Sequence, residues 1–175
     1  MPRIRVVPAM IALILTFAVL FGGLQVYRHY ELTQPLQQQL RAIPSITSVS
    51  VDLSAATPIV SVHLGPNADL ENTFTRMETV ISNALGTQVT IRLNDRRSTV
   101  LRNDYSTIFR PIIFTGIAQG NFVSMFAAFK KAANVNELHG KITMNSRDLF
   151  IELTQGQSYL YDVVPFSIRA SGVTG

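Results

Sequence analysis

The chain has 175 residues and a formal net charge of +4 at pH 7, a length that suits one domain or two very small ones. It contains no cysteine, which excludes disulfide bonds, thiolate catalysis and thiolate metal sites. Three arginines flank the first apolar stretch, and the rest of the chain has 12 basic and 11 acidic residues. The rest of the chain therefore lacks the excess positive charge that is typical of nucleic-acid-binding proteins.

The first predicted element is an uncharged apolar stretch from Val6 to Tyr27. A hydrocarbon core of about 30 Å needs roughly 20 helical residues, so this stretch predicts a transmembrane helix. Arg28 follows it as an interfacial anchor. Arg3 and Arg5 also fit the start of a signal peptide, but the run is longer than usual for one and no small-residue cleavage site follows. We therefore favour a retained signal anchor over a cleaved signal.

The membrane stretch sets the predicted organisation of the chain. The distribution of lysine and arginine favours a cytoplasmic amino terminus, and hence an extracytoplasmic domain at a cell membrane; the opposite orientation stays open. The interpretation divides the chain into an amino terminus with its anchor (1–29), a first module (30–94), a second module (95–166) and a disordered tail (167–175). The predicted fold class is α+β, with antiparallel strands.

The first module is predicted as helix, strand, strand, helix, strand. Pro35 opens the first helix and Pro44 ends it. Strict alternation of apolar residues predicts strands over 47–53, 59–64 and 89–93. Asn67 or Asp69 is the expected cap of the second helix, and Gly86 its end. The apolar stripe of the second helix is expected to bury Phe74 fully.

The order of elements from Gln34 to Leu93 resembles that of the ring-building motif, a small α+β module of membrane-anchored rings in bacterial secretion and sporulation channels. The helix-to-strand turn at residues 43–51, with the sequence IPSITSVSV, is also similar to that of such modules. The resemblance implies that copies of this module associate side by side. It implies nothing about residues after Leu93.

The second module is predicted as two helices followed by an antiparallel meander. The first helix spans 99–118, and Pro111 inside it predicts a kink or break. Its apolar stripe is Leu101, Tyr105, Ile108, Ile112 and Ile117. Asn121 is the expected cap of the next helix, whose aromatic stripe is expected to bury Phe126 fully. The strands are predicted over 141–144, 149–153 and 159–164.

The sequence contains no recognisable pattern of catalytic or metal-binding residues. His29, His63 and His139 do not have metal-ligand spacing, and no H-E-x-x-H or G-x-S-x-G pattern occurs. We therefore expect no cofactor, no metal site and no catalytic residue. One local basic cluster remains, formed by Arg92, Arg96, Arg97 and Arg102. It fits a solvated linker face, or a contact with acidic lipid, an anionic wall polymer or a partner protein.

The function predicted from these features is that of a single-pass membrane protein with a non-catalytic role in interaction or assembly. Its expected partners are the lipid bilayer and either a second copy or another membrane protein, and not nucleic acid. Two alternatives stay open. One is a membrane-tethered hydrolase or transferase, and the other is a membrane-anchored ligand sensor with a pocket between the aromatic stripe and the meander.

Overall fold

The computed structural model describes residues 10, 13–21, 33–55, 57–66, 68–86 and 88–166. Residues 13–21 are the described part of helix α1, and its large apolar side chains are exposed. Within these ranges, no helix has both the length and the apolar character that a bilayer crossing requires. The rest of the predicted anchor at 6–27 and the predicted tail at 167–175 lie outside the described residues.

The described residues after α1 have the α+β composition that the sequence predicted. In chain order the elements are α2 (Gln34–Arg41), β1 (Ile46–Asp52), β2 (Ile59–Leu64), α3 (Leu70–Leu85), β3 (Thr90–Asn94), α4 (Thr99–Asp104), a π-helical turn (Tyr105–Phe109), α5 (Arg110–Gln119), α6 (Phe122–Val135), β4 (His139–Met144), β5 (Asp148–Gln155) and β6 (Ser158–Pro165). The strands form two three-stranded sheets, ordered β1–β2–β3 and β4–β5–β6.

The strand directions differ from the prediction in the first sheet. β1 and β2 form an antiparallel hairpin, but β3 runs parallel to β2, with Ile91 opposite Val60. The prediction of antiparallel strands throughout is therefore wrong for this pair. The reason is the crossover: α3 carries the chain back along the sheet, so the next strand starts at the same end as β2. The second sheet is the predicted antiparallel meander.

Local signals determine the ends of α3. The Asp69 carboxylate accepts a hydrogen bond from the Asn72 N–H at 3.4 Å, as expected of an N-cap. Gly86 ends the helix with φ of 83°, a conformation that favours glycine. Between these ends Leu70, Met77 and Ile81 are buried against the first sheet.

The expected full burial of two phenylalanines is wrong. Phe74 is half-buried at the margin of the apolar core around the first sheet, where its ring lies 5.8 Å from that of Phe150. Phe126 is also half-buried, and the fully buried ring of α6 is that of Phe129, which packs on Phe109 with centroids 5.0 Å apart. The stripes were placed on the correct helices, but the centre of each buried face lies on a neighbouring residue.

The π-helical turn explains a second correction, in the helix 99–118. The buried residues are Leu101, Tyr105, Phe109 and Ile113, whereas the predicted Ile108 and Ile112 are half-buried. In a regular α-helix, positions 101 and 113 lie about 120° apart around the axis. The one inserted residue of the π turn reduces this to about 20°, so every fourth residue faces the core. The irregularity expected at Pro111 therefore takes the form of a π turn that ends just before it.

The two sheets are joined by side chains from β5 and β6. The Tyr161 hydroxyl is buried between them, where it donates to the Gly65 carbonyl at 3.0 Å and accepts from the Ala68 N–H at 3.1 Å. Phe150 and Tyr161 belong to the core that otherwise lies around the first sheet. The first sheet and the meander thus share buried contacts.

Candidate functional site

A cleft of about 470 Å³ lies between the segment 97–114, which is helical from Thr99 onward, and the end of β6. Its charged side chains are Arg97, Arg102, Arg110 and Asp162, and its lining includes Tyr105 and Phe114. The helical wall begins at Ser98, whose hydroxyl accepts from the Leu101 N–H at 3.1 Å and caps α4. The cleft therefore brings together a strand end and an irregular helix.

The π turn aligns two of the arginines. Arg102 and Arg110 are eight positions apart, which in a regular α-helix would separate them by about 80° around the axis. The inserted residue reduces the separation to about 20°, so both side chains reach the same cleft. The inserted residue is marked by the N–H of Arg110, which donates to the carbonyl of Tyr105 five residues earlier.

A hydrogen bond between Tyr105 and Asp162 closes the floor of the cleft. The Tyr105 hydroxyl donates to Oδ2 of Asp162, and Oδ1 of Asp162 accepts from the Val163 N–H at 3.0 Å. Burial raises the pKa of Tyr105, and the hydrogen bond to Asp162 raises it further. The hydroxyl therefore stays protonated at physiological pH and serves as a donor that ties the helix to β6.

Arg97 is engaged by a buried carboxylate. Its Nε and Nη2 atoms lie 2.6 and 2.7 Å from the two oxygens of Asp95, whose side chain is 2% exposed. Oδ2 of Asp95 also accepts from the Tyr161 N–H at 2.8 Å. The hydrogen bond to Asp95 raises the pKa of Arg97. This bidentate pair anchors the segment after β3 to the edge of β6, so Arg97 has a structural role.

The predicted basic cluster is divided by the fold. Arg97 and Arg102 line the cleft, whereas Arg92 on β3 and Arg96 after it are exposed outside it. Within the described part of the chain, no carboxylate forms an ion pair with Arg92, Arg96 or Arg102. Whether these side chains contact a partner stays a prediction.

The cleft residues that sequence reasoning missed include Tyr105, Arg110 and Asp162. Tyr105 was assigned to the apolar stripe alone, and Asp162 lies in a strand far from the arginines in sequence. The one available signal was the spacing of Leu101, Tyr105, Phe109 and Ile113, which is four residues each time. In a regular α-helix each step of four residues rotates by about 40°, so a buried repeat of four kept over three steps favours a helix with an inserted residue.

The remaining polar residues do not form a second centre. Among the described ranges, no group of three His, Asp or Glu residues is placed to hold a metal. His63 is exposed, with its Nε2 3.3 Å from Nδ2 of Asn94, and His139 is exposed at the start of β4. His29 lies outside the described residues. Between α6 and the meander, Phe129, Ile151 and Leu153 are fully buried, so side chains fill the space proposed for a sensor pocket.

Comparison of the chain with protein-family models, with curated proteins and with solved structures found no match. The resemblance of residues 34–93 to the ring-building motif accordingly stays a prediction.

Proposed function

We propose that the chain is a single-pass membrane protein whose extracytoplasmic α+β domain has a non-catalytic role in interaction or assembly. The observation that carries this proposal is the surface of α1. Residues 13–21 are uncharged, and each of their large apolar side chains is at least 55% exposed. Such a surface is unfavourable in water by about 25 cal/mol per Å². A helix that is apolar on all sides is suited to a lipid environment.

The non-catalytic part of the proposal is supported by the structural hydrogen bonds that the buried and half-buried carboxylates accept. Asp95 and Asp162 accept backbone N–H groups of β6 and hydrogen bonds from Arg97 and Tyr105. Glu152 accepts from the Leu70 N–H at 3.1 Å. Each is committed to holding elements together. A tethered hydrolase or transferase would instead need such groups beside a nucleophile or a base.

The assembly part is supported by the sheet edges. The N–H groups of Tyr159, Tyr161 and Val163 on β6 donate to the Arg96 carbonyl, to Asp95 and to Asp162. That edge is therefore closed to a further strand. β1 is an edge strand of the first sheet and pairs with β2 on one side. No described strand pairs with its other side. Confinement to a membrane plane raises the effective concentration of copies, so a weak edge contact is sufficient.

Membrane retention tests the anchor directly. The full-length protein is expected to stay in the membrane pellet after carbonate extraction, and protease added to spheroplasts is expected to digest the domain. The control replaces Ile14 and Phe17 with Arg, which costs roughly 2.5–3.5 kcal/mol per residue at the centre of a spanning helix. This control should move to the soluble fraction.

Two results would contradict the proposal. Wild-type protein that is extracted by carbonate as readily as the arginine variant does not have an inserted anchor. A domain protected from protease in intact spheroplasts lies on the cytoplasmic side, which reverses the proposed orientation.

A further inference from the structure

The geometry points to an anion site in the cleft between the segment 97–114 and β6, where Arg102 and Arg110 bind a phosphate group. The ligand class is a phosphate monoester, either on a soluble molecule or on a lipid headgroup. This inference concerns the domain alone. It does not depend on the proposed anchor or on the proposed assembly role.

The charges in the cleft leave two guanidinium groups available. Arg97 is paired with Asp95, and Asp162 accepts from Tyr105 and from the Val163 N–H. Within the described ranges, neither Arg102 nor Arg110 forms an ion pair with a carboxylate. Asp162 offsets one of these two positive charges, so the cleft keeps a net charge of about +1 beside the Arg97–Asp95 pair, and this charge attracts an anion.

The fold directs the side chains of Arg102 and Arg110 into the same cleft. The π turn aligns positions 102 and 110, as described above. The Arg110 guanidinium lies over the Phe114 ring, with Cζ 5.3 Å from the centroid, which is a cation–π contact that limits its rotamers. The Tyr105–Asp162 hydrogen bond fixes the helix against β6 between them. π turns occur frequently at functional sites because they present side chains that a regular helix cannot.

Phosphate fits this pair of arginines better than a carboxylate does. A phosphate monoester carries a charge of about −1.5 to −2 at pH 7 and has three acceptor oxygens. Two guanidinium forks supply several N–H donors in planar pairs, and these suit the three acceptor oxygens of a phosphate. The cleft is larger than a phosphate group, and Phe114, Val163 and Pro165 provide apolar lining for the organic part of the ligand.

The test uses the full chain in an uncharged detergent and in zwitterionic nanodiscs, in low-salt buffer where charge interactions are least screened. Isothermal titration with inorganic phosphate measures the soluble source. Nanodiscs with and without phosphatidic acid measure the lipid source. The variant Arg102→Gln/Arg110→Gln should weaken binding by roughly tenfold or more. The matched control Lys130→Gln/Lys131→Gln removes the same charge from exposed positions on α6 outside the cleft and should bind like wild type.

A further variant separates charge from geometry. Arg102→Lys/Arg110→Lys keeps both charges but loses the planar forks, so it should bind more weakly than wild type and more tightly than the glutamine variant. Binding of inorganic phosphate indicates a soluble ligand, and binding only to phosphatidic acid indicates a headgroup. Absence of saturable binding to both probes in the wild type would overturn the inference. Equal losses in the cleft variant and in the control would also overturn it, because the effect would then be that of net charge.

Discussion

Replacement of Phe129 by Ala should lower the free energy of unfolding by about 3–5 kcal/mol. The side chain is fully buried on α6 and its ring packs on Phe109 with centroids 5.0 Å apart. Removing it creates a cavity between α6 and the helix 99–119, in the apolar core that these helices form with the second sheet. The residues around the cavity are themselves tightly held, so the site can collapse only in part. Urea unfolding of the full chain in detergent, followed by circular dichroism, measures the effect.

Phe126 provides the matched control, since it is the same residue type on the same helix. It is only half-buried, so Phe126→Ala should cost about 1–2 kcal/mol, which is less than the effect at Phe129. If the two variants unfold at the same urea concentration, the assignment of the buried face of α6 is incorrect.

Replacement of Asp95 by Ala should be the most damaging change outside the apolar cores. It leaves the Tyr161 N–H without its acceptor and Arg97 without its buried partner. Removing one member of a buried pair typically costs 3–5 kcal/mol. We expect about 3 kcal/mol here, because the Arg97 side chain is 31% exposed and water compensates part of its loss.

The control for Asp95 is an exposed ion pair of similar length. Arg147 and Glu78 lie 2.7 Å apart with side chains 64% and 38% exposed, so Glu78→Ala should cost less than about 1 kcal/mol. Asp95→Asn keeps an acceptor for the Tyr161 N–H and should recover part of the loss. Equal stabilities of the Asp95 and Glu78 alanine variants would show that Asp95 does not join β3 to β6.

Features encoded in short segments were predictable from the sequence. The limits of β2 at 59–64, the cap at Asn121 and the end of α3 at Gly86 agree with the structure, and Asp69 is the one of the two expected caps of α3 that the structure shows. Each depends on the side chains of a few consecutive residues, such as an oxygen that accepts from an N–H three residues later. The α+β class follows from these elements.

Features that depend on distant segments were not predictable. The parallel pairing of β2 with β3 depends on where α3 returns the chain, and alternation within a strand carries no direction. The site was missed for a similar reason. Asp162 reaches the cleft through the sheet, and Arg110 reaches it only because the π turn shifts the helix by one residue. Local composition identified Arg97 and Arg102 but could not show that, among the described residues, Arg97 pairs with a carboxylate and Arg102 does not.

Cross-linking in native membranes tests the proposed interaction role most directly. The chosen variant is Arg92→Glu/Arg96→Glu, which leaves Arg97 unchanged because its loss would break the pair with Asp95. The control is Lys130→Glu/Lys131→Glu, which reverses two exposed charges on α6. We predict a discrete cross-linked species for the wild type and the control, and its loss in the arginine variant. If the wild type yields no cross-linked species, the domain has no partner within reach, and the proposed role is contradicted.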